Sequence, residues 1–305
     1  MSTPPALNPG QPVGAALRDI AAAIIVEAQS FLGDEAGDPT KTVHGIRRTF
    51  KRWRALLRML APFVGESGHQ LRIEARDLAR KLGVARDAQA TIDAFQDVTQ
   101  AGDGHPGVLS ERSIATIQTR LEALRSSNET AFWNAEMRQE VSDYLDAAAA
   151  EVVHWDMSEV TFSDFANMLT KTYRRGRKSI PKSWGSTEGE ELHELRRRVV
   201  EHRYQMELIE PVWPRLGRLW VDEAQRLRTR LGKYQDLQVL TDKIGPHQVL
   251  APWRSKLTPL IAQRQFEHAQ AARKMAARIF AEPPKAFRRR IQALWDAQAG
   301  DQQEH

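Results

Sequence analysis

The sequence predicts an all-α protein built twice over, an internally duplicated chain whose two halves each form a helical bundle. Three observations predict this. Apolar residues recur at helical spacing along nearly the whole chain, no stretch alternates as a half-buried strand would, and residues near position 193 repeat those near position 44 at one constant offset.

In order, residues 1–12 are Pro-rich and are expected to be a disordered tail, followed by a helix over 13–32 that GDEAGDPT ends. The next helix, 43–60, lies between Pro39 and Pro62, where proline is tolerated or stops a helix. Its core stripe is Ile46, Phe50, Trp53, Leu57 and Leu60. Leu71, Ala75, Leu78 and Leu82 mark a third helix, with Gly83 as its C-terminal cap, and a fourth follows at once. After the GDGHPG loop, Ser110 caps a run that reaches about position 154, with a break expected near 126–128. The chain then begins again. Helices are expected over 161–180, 190–210, 214–231, 234–244 and 253–281, with PKSWGSTEG as a short connection and a frayed polar tail over 298–305. The halves are thus 13–154 and 161–297. Trp53, Trp133 and Trp213 stand among apolar neighbours and are expected in the core or at bundle edges.

Length and composition narrow the function. A chain of 305 residues with 41% hydrophobic content can bury sizeable cores. Its net charge of +5 is modest, so the clustering of cations matters more than their total. Zero cysteines exclude structural disulfides and thiolate chemistry. The first residues have neither a basic start nor an apolar run, and the apolar run 21–26 is too short to span a bilayer. A cytoplasmic protein with no membrane association is the expectation.

The restart is a repeat. His44 matches His193, Gly83 matches Gly232 and Asp87 matches Asp236, since 193 − 44, 232 − 83 and 236 − 87 all equal 149. The same offset aligns Arg47, Arg48, Arg54, Pro62 and Gly68 with Arg196, Arg197, Arg203, Pro211 and Gly217. It also aligns Glu74, Ala75, Leu78, Leu82, Gln89 and Asp93 with Glu223, Ala224, Leu227, Leu231, Gln238 and Asp242. Fourteen identities in fifty ungapped positions stand against roughly one in fifteen by chance. A unit of this length is too long for a solenoid repeat and suits two bundles facing each other.

The helix over 43–60 carries the chemistry. Opposite its core stripe stand His44, Arg47, Arg48, Lys51, Arg54 and Arg58, with no acid between positions 41 and 60. Solvated faces normally mix signs at i,i+4, so such a face repels itself unless something negative lies along it. Arg47, Lys51, Arg54 and Arg58 follow one another at about 4.5 to 6 Å along the axis, and guanidinium forks bind phosphate well. The second copy retains His193, Arg196, Arg197 and Arg203. It replaces Lys51 by Val200, Arg52 by Glu201 and Arg58 by Glu207, so lopsided binding is expected.

A duplicated H-x-x-R-R helix followed by LG-x-x-x-D resembles the conserved histidine α-helical domain, or CHAD, family. The resemblance covers about 13–297. It implies two four-helix bundles related by a pseudo-twofold axis, a basic central groove or pore, and inorganic polyphosphate as a ligand that is bound and not turned over. Association with polyphosphate granules is the corresponding expectation for location.

Further cations are candidates for the same surface. Lys171, Arg174, Arg175, Arg177 and Lys178 crowd one helix end, where some cations are favoured by the backbone dipole alone. Lys81 and Arg230 occupy equivalent flanking positions. His44 and His193 are read as phosphate donors whose charge a polyanion stabilises, so binding should strengthen toward acid pH. Neither has a partner spacing that suggests a metal site or triad. Asp87 and Asp236 are read as helix-start caps or as carboxylates orienting an arginine. No catalytic residue, cofactor or metal is assigned. The competing readings are sequence-nonspecific nucleic-acid binding and a helical scaffold docking on an acidic protein.

Overall fold

The computed structural model describes residues 6–33, 38–100, 109–184 and 189–303, and leaves the side chains of 84–87, 126–132 and 301–303 undescribed. Its described residues form eleven α-helices and no strand. These are α1 (Val13–Leu32), α2 (Pro39–Leu60), α3 (Gly65–Lys81), α4 (Val84–Gln100), α5 (Glu111–Phe132), α6 (Ala135–Val153), α7 (Phe162–Lys178), α8 (Gly189–Glu207), α9 (Pro214–Lys243), α10 (Arg254–Ile279) and α11 (Pro284–Gln303). None is long and apolar enough to cross a membrane.

Local chemistry starts several of them. Asp38 caps α2 by accepting the Thr40 N–H at 2.9 Å, which places Pro39 inside the first turn and not before it. Thr161 and Asp164 form a reciprocal capping box at the start of α7. Helix starts in the first half recur in the second at the repeat offset: 162 − 13, 214 − 65 and 284 − 135 each equal 149. Packing partners recur with them, since α1 packs on α2 and α6 while α7 packs on α8 and α11.

Both stretches, 13–154 and 161–297, contribute to each hydrophobic core. The larger core draws residues from both, including Phe50, Trp53 and Leu57 of α2, Tyr173 of α7, Leu195 and Val199 of α8, and Phe287 of α11. A smaller core joins Phe95 of α4 and Ile117 and Leu121 of α5 to Leu237 and Leu240 of α9 and Leu257 and Ile261 of α10. The basic helix α2 lies against its counterpart α8 at the middle of the larger core.

Several boundaries differ from the sequence expectation. Leu7, expected in a disordered tail, is buried and donates its N–H to the Leu208 carbonyl at 2.8 Å, which holds the segment against the end of α8. The run after Ser110 breaks at Trp133 and Asn134, not at 126–128, because Asn134 caps α6 through the Met137 N–H at 2.8 Å. The expected break between 231 and 234 is absent: α9 is continuous, and Gly232 is buried within it. At the other end, α11 continues to Gln303, through most of the expected polar tail.

Candidate functional site

The N-terminal half of α2 forms one wall of a cleft of about 520 Å³. His44, Arg47, Arg48 and Lys51 line it from α2, Arg203 and Tyr204 from α8, and Gln225 and Arg228 from α9. Gln89 and Asp93 of α4 line it as well, as does Trp133. Burial of Ile46, Phe50 and Trp53 on the other face of α2 fixes this orientation, as the apolar stripe requires. Five Lys and Arg side chains and one imidazole thus meet a single carboxylate, Asp93, among the described lining residues.

The cations are held in place by the fold. Arg47 donates to the Leu82 carbonyl at the end of α3, and Arg48 donates to Glu27 of α1 at 3.1 Å. Arg203 lies over the Tyr204 ring, 4.7 Å from its centroid, and donates to Glu207 at 2.5 Å. Burial pushes the Glu207 carboxyl above its ordinary range, and the neighbouring Arg203 and Arg52 oppose that push. Gln89 donates to Asp93 at 2.8 Å and accepts from Arg125 at 3.3 Å, so the carboxylate facing the cations is itself oriented.

The expected acid-free face therefore has acids supplied by other helices. Glu27 pairs with Arg48 and Arg52, and Glu201 with Arg58 at 2.9 Å. Arg54 and Arg58 do not line the cleft. They lie further along α2 beside α3 and α8, where burial and mutual repulsion lower the pKa of Arg54 and burial lowers that of Arg58.

The residues aligned with these at the offset of 149 are arranged differently. Arg203 joins the cleft, whereas His193, Arg196 and Arg197 do not line it. Arg196 donates to Gln235 at 2.6 Å and lies beside Gly232, as Arg47 lies beside Gly83 at the equivalent place. Gln235 also reaches the His193 Nδ1, while Arg197 pairs with Glu194. Burial, then Arg196 and Arg197, lower the His193 pKa. Asp236 sits inside α9 and not at its start, and the Asp87 side chain lies outside the described residues.

The flanking clusters are divided. Arg177 donates to the carbonyls of Phe280, Ala281 and Glu282 in the turn between α10 and α11, while Lys171, Arg174, Arg175 and Lys178 are exposed. Lys81 pairs with Glu140. Arg230 donates to the His268 Nδ1 at 3.3 Å, in a network where Asp97 also receives His268, Lys233 and Arg264. Neither Lys81 nor Arg230 lines the cleft.

Sequence reasoning missed Arg228, Tyr204, Gln225, Gln89 and Asp93 as cleft residues. A signal existed for two of them: Gln89 and Asp93 are polar identities of the repeat spaced i,i+4. Arg228 had none, since its counterpart is Ala79. Trp133 lines the cleft and Trp213 is exposed, so of the three tryptophans Trp53 alone is a fully buried core residue.

The fold is similar to that of PptA from Streptomyces chartreusis, at a TM-score of 0.66 and 15% identity over 89% of this chain and 100% of that one. It is also similar to the CHAD domain from the plant Ricinus communis, at a TM-score of 0.56 and 20% identity over 96% and 94%. No curated protein matches the chain. The family model for the CHAD domain matches residues 15–245, about three quarters of the sequence, and the chain belongs to that family.

Proposed function

We propose that the protein binds inorganic polyphosphate in the cleft walled by α2, α8 and α9, without turning it over. The observation that carries this reading is the composition of the cleft lining, where His44, Arg47, Arg48, Lys51, Arg203 and Arg228 converge on one space and Asp93 is the one carboxylate among the described lining residues, while Glu27 and Glu207 hold Arg48 and Arg203 from behind the lining. Membership of a family linked in general to polyphosphate binding supports it. A chain of phosphates has no bases to read, so a cationic cleft with fixed guanidinium forks is sufficient chemistry.

The recurrence of helix starts and packing partners at an offset of 149 supports descent by duplication. Only one half, however, contributes most of the cleft cations. A cytoplasmic protein recruited to polyphosphate-containing bodies is the corresponding cellular role.

The test is competition. Immobilised protein is loaded with long-chain polyphosphate and challenged with DNA, RNA and short phosphates over a salt series. Retention of polyphosphate against nucleic acid at moderate salt is expected. Equal displacement by nucleic acid overturns the reading in favour of a general phosphate-polymer binder.

A further inference from the structure

Past the cleft, the cationic row of α2 meets a carboxylate from its own counterpart. Arg58 stands 2.9 Å from one oxygen of Glu201, and Arg198 stands 3.1 Å from the other. The side chains of Glu201 and Arg58 are 12% and 26% exposed, so this pair is screened less than a surface bridge. Arg72 and Arg175 are near enough to act on the charge of Arg58, and Arg72 and Arg76 on that of Arg54. The neighbouring acids have other partners: Asp77 is held by Arg76 and Arg80, and Glu194 by Arg197 and Arg198. Glu201 occupies the position that Arg52 holds in the first copy, since 201 − 52 = 149.

Arg47, Lys51, Arg54 and Arg58 fall within about 60° of one another around the helix. Arg58 lies about 10.5 Å beyond Lys51 along the axis. The row that begins in the cleft therefore continues on one face to Glu201. We propose that Glu201 is an internal competitor for phosphate that makes the protein select long chains over short ones. It occupies the place among Arg58 and Arg198 that a phosphate group would take. A short phosphate must displace it from free solution. A long chain already held in the cleft presents its next phosphates at a high effective concentration, of millimolar order for a short flexible tether. Selectivity then arises from a penalty on the wrong ligand as well as from contacts to the right one. This inference rests on the polyphosphate reading of the cleft.

The experiment is calorimetric titration of the full chain with tripolyphosphate and with long-chain polyphosphate. It compares wild type, Glu201→Gln and, as a control for net charge, Glu267→Gln on α10, whose carboxylate pairs with Arg264. Glu201→Gln is expected to tighten tripolyphosphate about tenfold, equivalent to about 1.4 kcal/mol, and long chains less than about threefold. Glu267→Gln should leave the ratio of the two affinities unchanged. An equal gain for both ligands, an unchanged ratio, or the same change in the control overturns the proposal. Arg58→Gln supplies a second variant that leaves Glu201 in place. It should weaken long chains and spare tripolyphosphate, and equal losses count against the proposal. Absence of any phosphate binding by the wild type overturns the cleft reading and this inference with it. Wild-type binding with an unchanged ratio in Glu201→Gln overturns this inference alone.

Discussion

The indole N–H of Trp53 donates to the Tyr144 hydroxyl at 2.6 Å, and that hydroxyl donates onward to the Leu71 carbonyl at 2.8 Å. One buried oxygen thus ties α2 to α3 and α6. Trp53 is stacked on Trp155 in the same place, 6.0 Å between ring centroids, so the rotation of α2 about its axis is fixed from its buried side. Burial holds the Tyr144 phenol well above its ordinary pKa, and it stays a donor. Tyr144→Phe should destabilise the fold by about 1–3 kcal/mol, since it orphans the Trp53 N–H. Urea unfolding at neutral pH measures this, and no loss would mean that water replaces the hydroxyl.

His202 lies among Tyr173, Phe280 and Phe287, and burial lowers its pKa to about 4. Its folded value is below the unfolded value of about 6.5, so the unfolded chain takes up the proton first. Stability from this group is complete above about pH 6.5 and is lost as pH falls toward 4, by about 3 kcal/mol in all. His202→Phe should flatten that part of the stability curve. Unfolding midpoints measured between pH 7 and 4 for the two proteins give the difference.

Asp97 acts in a lower window. It is nearly buried and receives Lys233, Arg264 and His268, whose hydrogen bonds outweigh burial and hold its carboxyl far below the ordinary range. Its contribution is therefore present above about pH 4 and is lost only as pH falls further. Asp97→Asn should cost about 3–5 kcal/mol at neutral pH, because it strands cations rather than merely deleting a bond. Chemical denaturation provides the comparison, and a cost below about 1 kcal/mol would show that the cations find water or another partner.

The order of elements was legible because apolar spacing is a local property: Ile46, Phe50, Trp53, Leu57 and Leu60 read as one stripe and all are buried. The charge balance of α2 was not. Its counter-ions, Glu27 and Glu201, come from α1 and α8 and are neighbours only after folding. Gly83 and Gly232 show another limit. They are the same residue at equivalent places, yet one lies in the turn between α3 and α4 and the other inside α9. Glycine permits a helix to end without requiring it. Arg203 was singled out as a phosphate contact of α8, and folding brings it to the wall of a cleft lined mainly by cations of α2, a juxtaposition that spacing along α8 does not contain.

Position also separates arginines that composition treats alike. Arg228 opens onto the cleft, while Arg177 is spent on the carbonyls of Phe280, Ala281 and Glu282 in the turn between α10 and α11. Arg228→Gln should weaken long-chain polyphosphate about tenfold, the loss of one charge-assisted contact of about 1.5 kcal/mol. It should also reduce the salt dependence of binding by about one released counter-ion. Arg177→Gln should leave both the affinity and the salt dependence unchanged and instead lower the thermal midpoint, because orphaned turn carbonyls are a cost of folding and not of binding. Titration at several salt concentrations, paired with thermal unfolding of each variant, separates the two effects. Loss of affinity in Arg177→Gln at unchanged stability would instead place the end of α7 on the polyphosphate path, where its exposed neighbours Arg174 and Lys178 could extend the cleft.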